Sequence, residues 1–415
     1  MGCGGVSGAR YDADDPGGDA YNTLAPAASR AARVPADAGK RTVSASSRPA
    51  NAGYPPTICQ APFHSQGTKL GSRKIAAAWE PCDAQKRGLE MSSYASRRSS
   101  SSDRAAPDKG GVSLCLVGSC FEVGGKLGAG SFAEVYAGTH TKTKEKVAIK
   151  LEKKGRETPM ILSERRLYNT LQGGVGISDI FWYGVQDDYH VMVMSLLGPS
   201  LQDDFVACGE RFELKTVLAL AEQMISRIQY IHSKDVVHRD IKPGNFLHGV
   251  GSNSNQLYIV DFGLSIYFRD QRTGAHIPCH EKRKLTGTAR YASINNHLCK
   301  EQSRRDDLEA MGYLLVYFAQ GSLPWMGVQA TTRTERNRLI LEKKKSISLE
   351  SLCYGLPREF KSMLQYCRSL SFEQCPDYAH LQSLVRDASI RGGSARDSSF
   401  EGRARKSEPS KCEGV

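Results

Sequence analysis

The chain has 415 residues, enough for two or three average domains or for one large domain with tails. Its formal charge of +12 is diffuse: 15 basic against 10 acidic side chains in residues 1–115, 35 against 30 in the middle, 6 against 4 in residues 391–415. That pattern reads as a solvated surface with weak attraction for anions, and twelve cysteines without one Cys-x-x-Cys pair exclude a disulfide scaffold and a zinc ribbon.

Residues 1 to about 115 are rich in Ala, Gly, Ser, Pro and Arg and show no sustained periodicity. Such a segment cannot bury enough apolar surface to offset its ordering entropy, so a disordered extension is expected. Its start, Met1-Gly2-Cys3, offers Gly2 for myristoylation and Cys3 for palmitoylation, although Val6 stands where the usual pattern wants Ser or Thr. Asp12, Asp14, Asp15 and Asp19 argue against an organelle transit peptide. No run approaches the ~18 apolar residues of a membrane span. Ser92–Asp103, with Arg97, Arg98 and four serines from Ser99 to Ser102, is a candidate phosphorylation target.

From about Phe121 the texture changes. Phe121–Gly130 and Ala133–Thr141 read as strands joined by a glycine turn, followed by a third strand at Lys146–Glu152. Pro159–Leu171 has helical character, and Gly176–Gly184 and Tyr189–Leu197 read as two more strands. After Gly198 the pattern becomes helical: Leu214, Val217, Leu218, Ala221, Ile225 and Ile228 repeat at i, i+3, i+4 spacing. Leu257–Val260 reads as a short strand, and Leu308–Ala319, Arg333–Lys345, Pro357–Leu370 and Tyr378–Ala388 as further helices. The reading is three segments: a disordered extension over 1–115, a folded domain over 116–390, and a disordered tail over 391–415.

Three motifs carry chemistry. Gly128-Ala129-Gly130-Ser131-Phe132-Ala133-Glu134-Val135 joins two strands, and its glycines let backbone N–H groups close over phosphates. Val147-Ala148-Ile149-Lys150 ends an apolar strand on a lysine that can pair with nucleotide phosphates. Glu164 on the following helix can orient that lysine, whereas Glu157 precedes Pro159 and sits before the helix begins. The strongest signal is His238-Arg239-Asp240-Ile241-Lys242-Pro243-Gly244-Asn245, followed by Asp261-Phe262-Gly263. Phosphoryl transfer needs positioning and charge neutralisation more than covalent help. Asp240 can orient an attacking hydroxyl and accept its proton, Lys242 can reach the γ-phosphate, and Asn245 and Asp261 supply oxygen ligands for Mg²⁺.

Together these residues resemble the eukaryotic protein kinases, and within them the casein kinase I family. The closer likeness rests on Leu171-Gln-Gly-Gly-Val-Gly-Ile177, Leu196-Leu-Gly-Pro-Ser-Leu201, Leu285-Thr-Gly-Thr-Ala-Arg-Tyr-Ala-Ser-Ile294, Glu301-Gln-Ser-Arg-Arg-Asp-Asp-Leu-Glu309 and Gly321-Ser-Leu-Pro-Trp325, with Ser293-Ile294-Asn295 in place of Ala-Pro-Glu. The resemblance covers about residues 121–385. It implies an α+β, bilobal fold with an antiparallel N-lobe sheet plus one helix and a mainly helical C-lobe. It implies a serine/threonine kinase that uses ATP and Mg²⁺ and acts on Ser or Thr downstream of acidic or phosphorylated residues, without activation-loop phosphorylation. The nucleotide would lie among Leu127, Gly128, Gly130, Ser131, Val135, Ala148, Lys150, Met194, Ser195 and Leu197, with Met194 as gatekeeper and Ser195–Leu197 as hinge. Asp307 would brace the catalytic loop, and Arg283, Arg290, Gly327 and Arg336 would form a substrate anion pocket, a role that suits arginine because it binds phosphate bidentately.

Departures from the family pattern are Ala133 for the third glycine, Gly244 for an acid in the catalytic loop, Ser195 for a hinge acid, and no aromatic-rich segment beyond about residue 390. The expected protein is a monomeric cytoplasmic kinase of protein substrates, with the nucleus and an acylated membrane pool as alternative locations. A pseudokinase is the competing reading, opposed by the presence of Lys150, Glu164, Asp240, Asn245 and Asp261. A nucleic-acid binder is not expected, because no basic stripe is interleaved with aromatics.

Overall fold

The computed structural model describes residues 114–130, 132–281 and 284–391. The expectations for the N-terminal extension, Gly2 and Cys3, the serine-rich stretch and the residues after 391 lie outside the described residues, as do Ser131 and Arg283.

The first lobe is an antiparallel sheet in the order β1-β2-β3-β4-β6-β5. Its strands are β1 (Leu116–Val117), β2 (Phe121–Ala129), β3 (Glu134–His140), β4 (Lys146–Lys153), β5 (Ile180–Gln186) and β6 (Tyr189–Ser195). Helix α1 (Met160–Leu171) lies between β4 and β5 in sequence and begins after Glu157, as the position of Pro159 requires. Strand β4 sits inside the sheet, paired with β3 and β6, and reads as a nearly continuous apolar run in which Val147, Ala148, Ile149 and Leu151 are all buried. The register places Lys150 opposite Val135 on one side and Met192 on the other, and Ala148 opposite Met194.

The expected strand at Gly176–Gly184 starts four residues late, at Ile180. Gly173 and Gly176 adopt positive φ, and the Gly176 carbonyl accepts from Ile259 N–H, so the glycine-rich run is a turn held against the second lobe.

The second lobe is mainly helical: α2 (Leu201–Ala207), α3 (Leu214–Ser233), α4 (Ile294–His297), α5 (Arg304–Gln320), α6 (Arg333–Ser346), α7 (Leu349–Leu352), α8 (Arg358–Ser369) and α9 (Tyr378–Arg391). Short strand pairs β7 (Val236–Val237) with β10 (Ile266–Tyr267), and β8 (Phe246–His248) with β9 (Leu257–Ile259), frame the loops between α3 and α4. The apolar face expected on α3 is buried, and it packs on α5 and α9. Helix α5 is buried nearly all round, which is why it carries little amphipathic signal and stands at the centre of the lobe. It starts at Arg304, four residues before its apolar run, because Asp306 accepts the Ser303 backbone N–H at 2.8 Å and starts the helix there. Helix α9 runs to Arg391, three residues past the expected end. Among the described residues no helix is long and apolar enough to cross a membrane.

Candidate active site

Strand β4 and helix α1 build the first half of the site. Lys150 Nζ lies 2.8 and 2.7 Å from the two carboxylate oxygens of Glu164, and Glu164 is only 2% exposed. The same ammonium reaches Asp261 Oδ1 at 2.9 Å, which joins the two lobes through one charge. Burial opposes the charged lysine, but the two carboxylates outweigh it and hold its pKa above the ordinary value. For Asp261, burial works upward, and attraction by Lys150 and then Lys242 wins, so the carboxyl titrates below its ordinary value. Nearly half of the Asp261 side chain stays open to the cleft.

The second half is the loop between β7 and β8. Asp240 is 7% exposed; Lys242 Nζ meets its Oδ2 at 2.7 Å, while Thr288 donates to Oδ1 from N–H at 2.9 Å and from its hydroxyl at 2.8 Å. Asn245 Nδ2 donates to the Asp240 carbonyl at 2.9 Å, closing the loop on itself, and Val260 N–H donates to the Asn245 carbonyl at 3.0 Å. Asp307, at the start of α5, accepts His238 N–H at 2.7 Å and Arg239 N–H at 2.8 Å. Those bonds hold Arg239 at φ +69°, a conformation that a non-glycine residue keeps only when its surroundings over-determine it.

Below the cleft Phe262 is fully buried, edge-on to Tyr168 of α1 at 4.9 Å and against His238 at 5.3 Å. Asp261 itself has φ +66°. Packing of Phe262 under α1 turns Asp261 toward Lys150, so apolar and ionic contacts select the same arrangement.

A family model for the protein kinase domain matches residues 121–379, well over half of the chain. The chain belongs to that family. As a kinase domain it is a phosphotransferase fold, and the bilobal architecture with an antiparallel first lobe and a helical second lobe is the one expected from the sequence.

The kinase cleft brings together in part the remaining residues expected to lie beside a nucleotide. Val135, Ala148 and Met194 line adjacent strands, and Leu127 stands out at 54% exposure beside Gly128. A Cβ placed on Gly128 would meet nothing within 4 Å, so the loop there is open. Ser195 N–H donates to the Asp179 carbonyl at 3.0 Å and its hydroxyl accepts Asp179 N–H at 3.2 Å, so its side chain is tied to the turn before β5. Leu197 follows in the segment that leads to α2.

Arg290, Gly327 and Arg336 fall on three connected segments. Trp325 Nε1 donates to the Arg290 carbonyl at 2.7 Å. The fully buried Lys344, on the same helix as Arg336, donates to the carbonyls of Ala289 at 2.9 Å and Ala292 at 2.6 Å. The Arg290 guanidinium lies 5.9 and 5.8 Å from the ring centres of Tyr291 and Tyr317, and Arg336 is exposed.

Several residues of the site were not assigned a role from the sequence. Thr288 is the partner of Asp240 across 48 positions. Glu309 accepts Ile294 N–H at 3.2 Å and the Tyr313 hydroxyl at 2.6 Å, and Arg368 stands 3.5 Å away, so α5 supplies the carboxylate that anchors the loop before α4. Arg239 donates to the Leu264 carbonyl at 2.6 Å and faces Glu301 at 3.6 Å.

Gly287 offers a sharp test of this packing. It has φ +86°, and a Cβ there would stand 2.4 Å from the Arg239 carbonyl and 3.1 Å from Asp240 Oδ1. Gly287→Ala is expected to displace the Asp240 loop and lower kcat by at least about tenfold with little change in nucleotide affinity, since displacements of ~1 Å can cost 10²-fold. Steady-state kinetics paired with nucleotide titration checks it; unchanged kcat would mean the contact is not maintained in solution.

Proposed function

We propose that this kinase is a serine/threonine protein kinase of casein kinase I type, using ATP with Mg²⁺ and favouring acceptors that lie after acidic or phosphorylated residues. The observation that carries the reading is Lys150 Nζ held between Glu164 and Asp261, the arrangement needed to receive nucleotide phosphates in the cleft.

The donors fit the groups that would bind. Asn245 and Asp261 are hard oxygen ligands, suited to a Mg²⁺ that takes few protein ligands and the rest from phosphate and water. Lys150 engages Asp261 through Oδ1, and the carboxylate would still have lone pairs to offer a metal. Bound Mg²⁺ would offset phosphate charge. Asp240 would accept the acceptor hydroxyl's proton, and Lys242, 2.7 Å from it, would stabilise charge on the transferred group. Thr288 would hold the Asp240 carboxylate in place. The resemblance through His238–Asn245 and Leu285–Ile294 supports serine and threonine as acceptors.

The engagement of Arg239 by Glu301 and the Leu264 carbonyl supports activity without loop phosphorylation, because internal groups already serve that cation. For the anion preference, Arg290 and Arg336 supply the guanidinium groups and Gly327, exposed and at φ +69°, leaves its backbone approachable. A cytoplasmic monomer is the matching proposal for location and assembly.

Phosphate transfer to two peptides, one with phosphoserine three residues before the acceptor and one unmodified, tests the reading. Wild type is expected to favour the primed peptide in kcat/KM, and Arg336→Ala to lose about tenfold on that peptide alone, the order of one charge-assisted hydrogen bond. Equal rates on both peptides would remove the casein kinase I type and leave the kinase.

A further inference from the structure

Helix α1 carries Glu164, yet its own N-terminus is poorly equipped. Its N-cap is Pro159, which has no side-chain acceptor, and there is no acidic residue in the first turn. The open backbone N–H groups at a helix start require partners, above all where the helix is packed. Two of them find the same carboxylate on the neighbouring strand: Met160 N–H donates to Glu152 Oε1 at 3.1 Å and Ile161 N–H donates to Glu152 Oε2 at 2.8 Å. Glu152 is 2% exposed, and Ile161 is buried beside it.

Spacing explains why one strand can grip the helix twice. Lys150 and Glu152 are two residues apart on β4, so they project from the same face about 6.6 Å apart. Their targets on α1, the Ile161 amide and Glu164, are three residues apart, a rise of about 4.5 Å along the helix. The two steps are close enough that both contacts form without bending either element. The strand thus offers a carboxylate to the positive end of the helix and an ammonium to the acid one turn on, each sign matched to its target.

A third contact extends the grip. Arg156, in the turn between β4 and α1, has Nε 3.8 Å from Glu152 Oε1 and its guanidinium 4.6 Å over the ring of Phe132. Phe132 belongs to the turn between β2 and β3 that follows Gly130. The carboxylate that caps α1 therefore also bears on the cation stacked against the glycine-loop tip.

We propose that Glu152 is a positioning residue for phosphate transfer: it clamps the first turn of α1 so that Glu164 stays on Lys150 without a further signal, and through Arg156 it ties the glycine-loop tip to the same helix. The proposal rests on the kinase reading of the site. It supplies a physical cause for a standing Lys150–Glu164 pair, since in its absence α1 would have unpaired amides at one end and a single ionic contact at the other.

Glu152→Gln is the informative change, because it keeps the shape, retains one acceptor oxygen and removes the charge; Glu152→Ala removes both acceptors. Hydrogen exchange of the α1 amides is measured alongside melting temperature, kcat, and KM for ATP and peptide. Exchange in the first turn of α1 is expected to quicken and kcat to fall about tenfold for Gln and further for Ala, with KM for peptide unchanged and exchange in β5 and β6 as in wild type. Arg156→Ala is expected to raise KM for ATP severalfold while α1 stays protected. Wild-type exchange and kcat in Glu152→Gln would overturn the proposal, and so would loosening spread evenly over the sheet, which marks a merely structural role. If Glu152→Ala fails to fold, Glu152→Gln decides. If wild type transfers no phosphate at all, the kinase reading fails on its own, and the exchange comparison still decides the clamp.

Discussion

Asp240→Asn is expected to reduce phosphate transfer by about two to four orders of magnitude while leaving nucleotide affinity within a few-fold of wild type. The carboxylate is the meeting point of Lys242 and both donors of Thr288, and it stands in the loop that Asn245 closes. An amide of the same size preserves much of that packing but accepts no proton, and it presents N–H to one of the donors around it. The residues proposed to contact the nucleotide lie on β2, β3, β4, β6 and the segment after β6, none of which bonds to Asp240 in the hydrogen bonds described. Single-turnover transfer and nucleotide titration on the same preparations separate the two effects. A variant that turns over within tenfold of wild type would remove Asp240 from the chemistry.

Asp307→Asn is the second large effect, and it acts on stability and rate together. Asp307 is 2% exposed and accepts three donors: the N–H groups of His238 and Arg239, and His232 Nε2 at 2.9 Å. An asparagine has one acceptor oxygen, so one backbone donor of the catalytic loop faces an amide N–H instead. Losing one or two buried hydrogen bonds to a charged acceptor costs about 3 kcal/mol, which lowers the melting temperature of a domain this size by roughly 5–10 °C. The strained φ of Arg239 then loses its clamp, and kcat is expected to fall at least about a hundredfold.

The pH dependence of this difference has a definite sign. Burial tends to raise the Asp307 carboxyl, but the hydrogen bond and positive charge of His232 and the donors of the loop outweigh it, so its folded pKa lies below the ordinary value of 3.8. Its stabilisation is therefore complete above the unfolded pKa and is lost as pH falls through the lower folded pKa. The gap in melting temperature between wild type and Asp307→Asn should be constant near neutrality and shrink only in acid below about pH 4.

Much of the fold and of the site was legible because their residues lie close together in the chain. Strand β4 is apolar for internal reasons, and Lys150 interrupts its buried run inside the strand and does not close it; α3 repeats with the period of one helix face; His238–Asn245 and Asp261–Gly263 pack their groups into short loops whose chemistry needs those residue types. Glu164 and Glu157 could be told apart because Pro159 fixes where the helix begins.

What the amino-acid order could not decide alone was pairing at a distance. Glu152 reads as one more charge at the end of a strand, and only the approach of α1 makes it a cap. Thr288 and Asp240 are 48 positions apart, and Asp307 lies 68 from Arg239; nothing in either local pattern specifies the partner. Helix α5 lacks a polar face because it is enclosed on all sides, a property of its neighbours and not of its own period. Sequence by itself determined which residues could form strands, helices and reactive loops, since those depend on local sterics and spacing. Tertiary structure decided which buried donors and acceptors share a partner, because each buried polar group must find one wherever the packing of the two lobes happens to bring it.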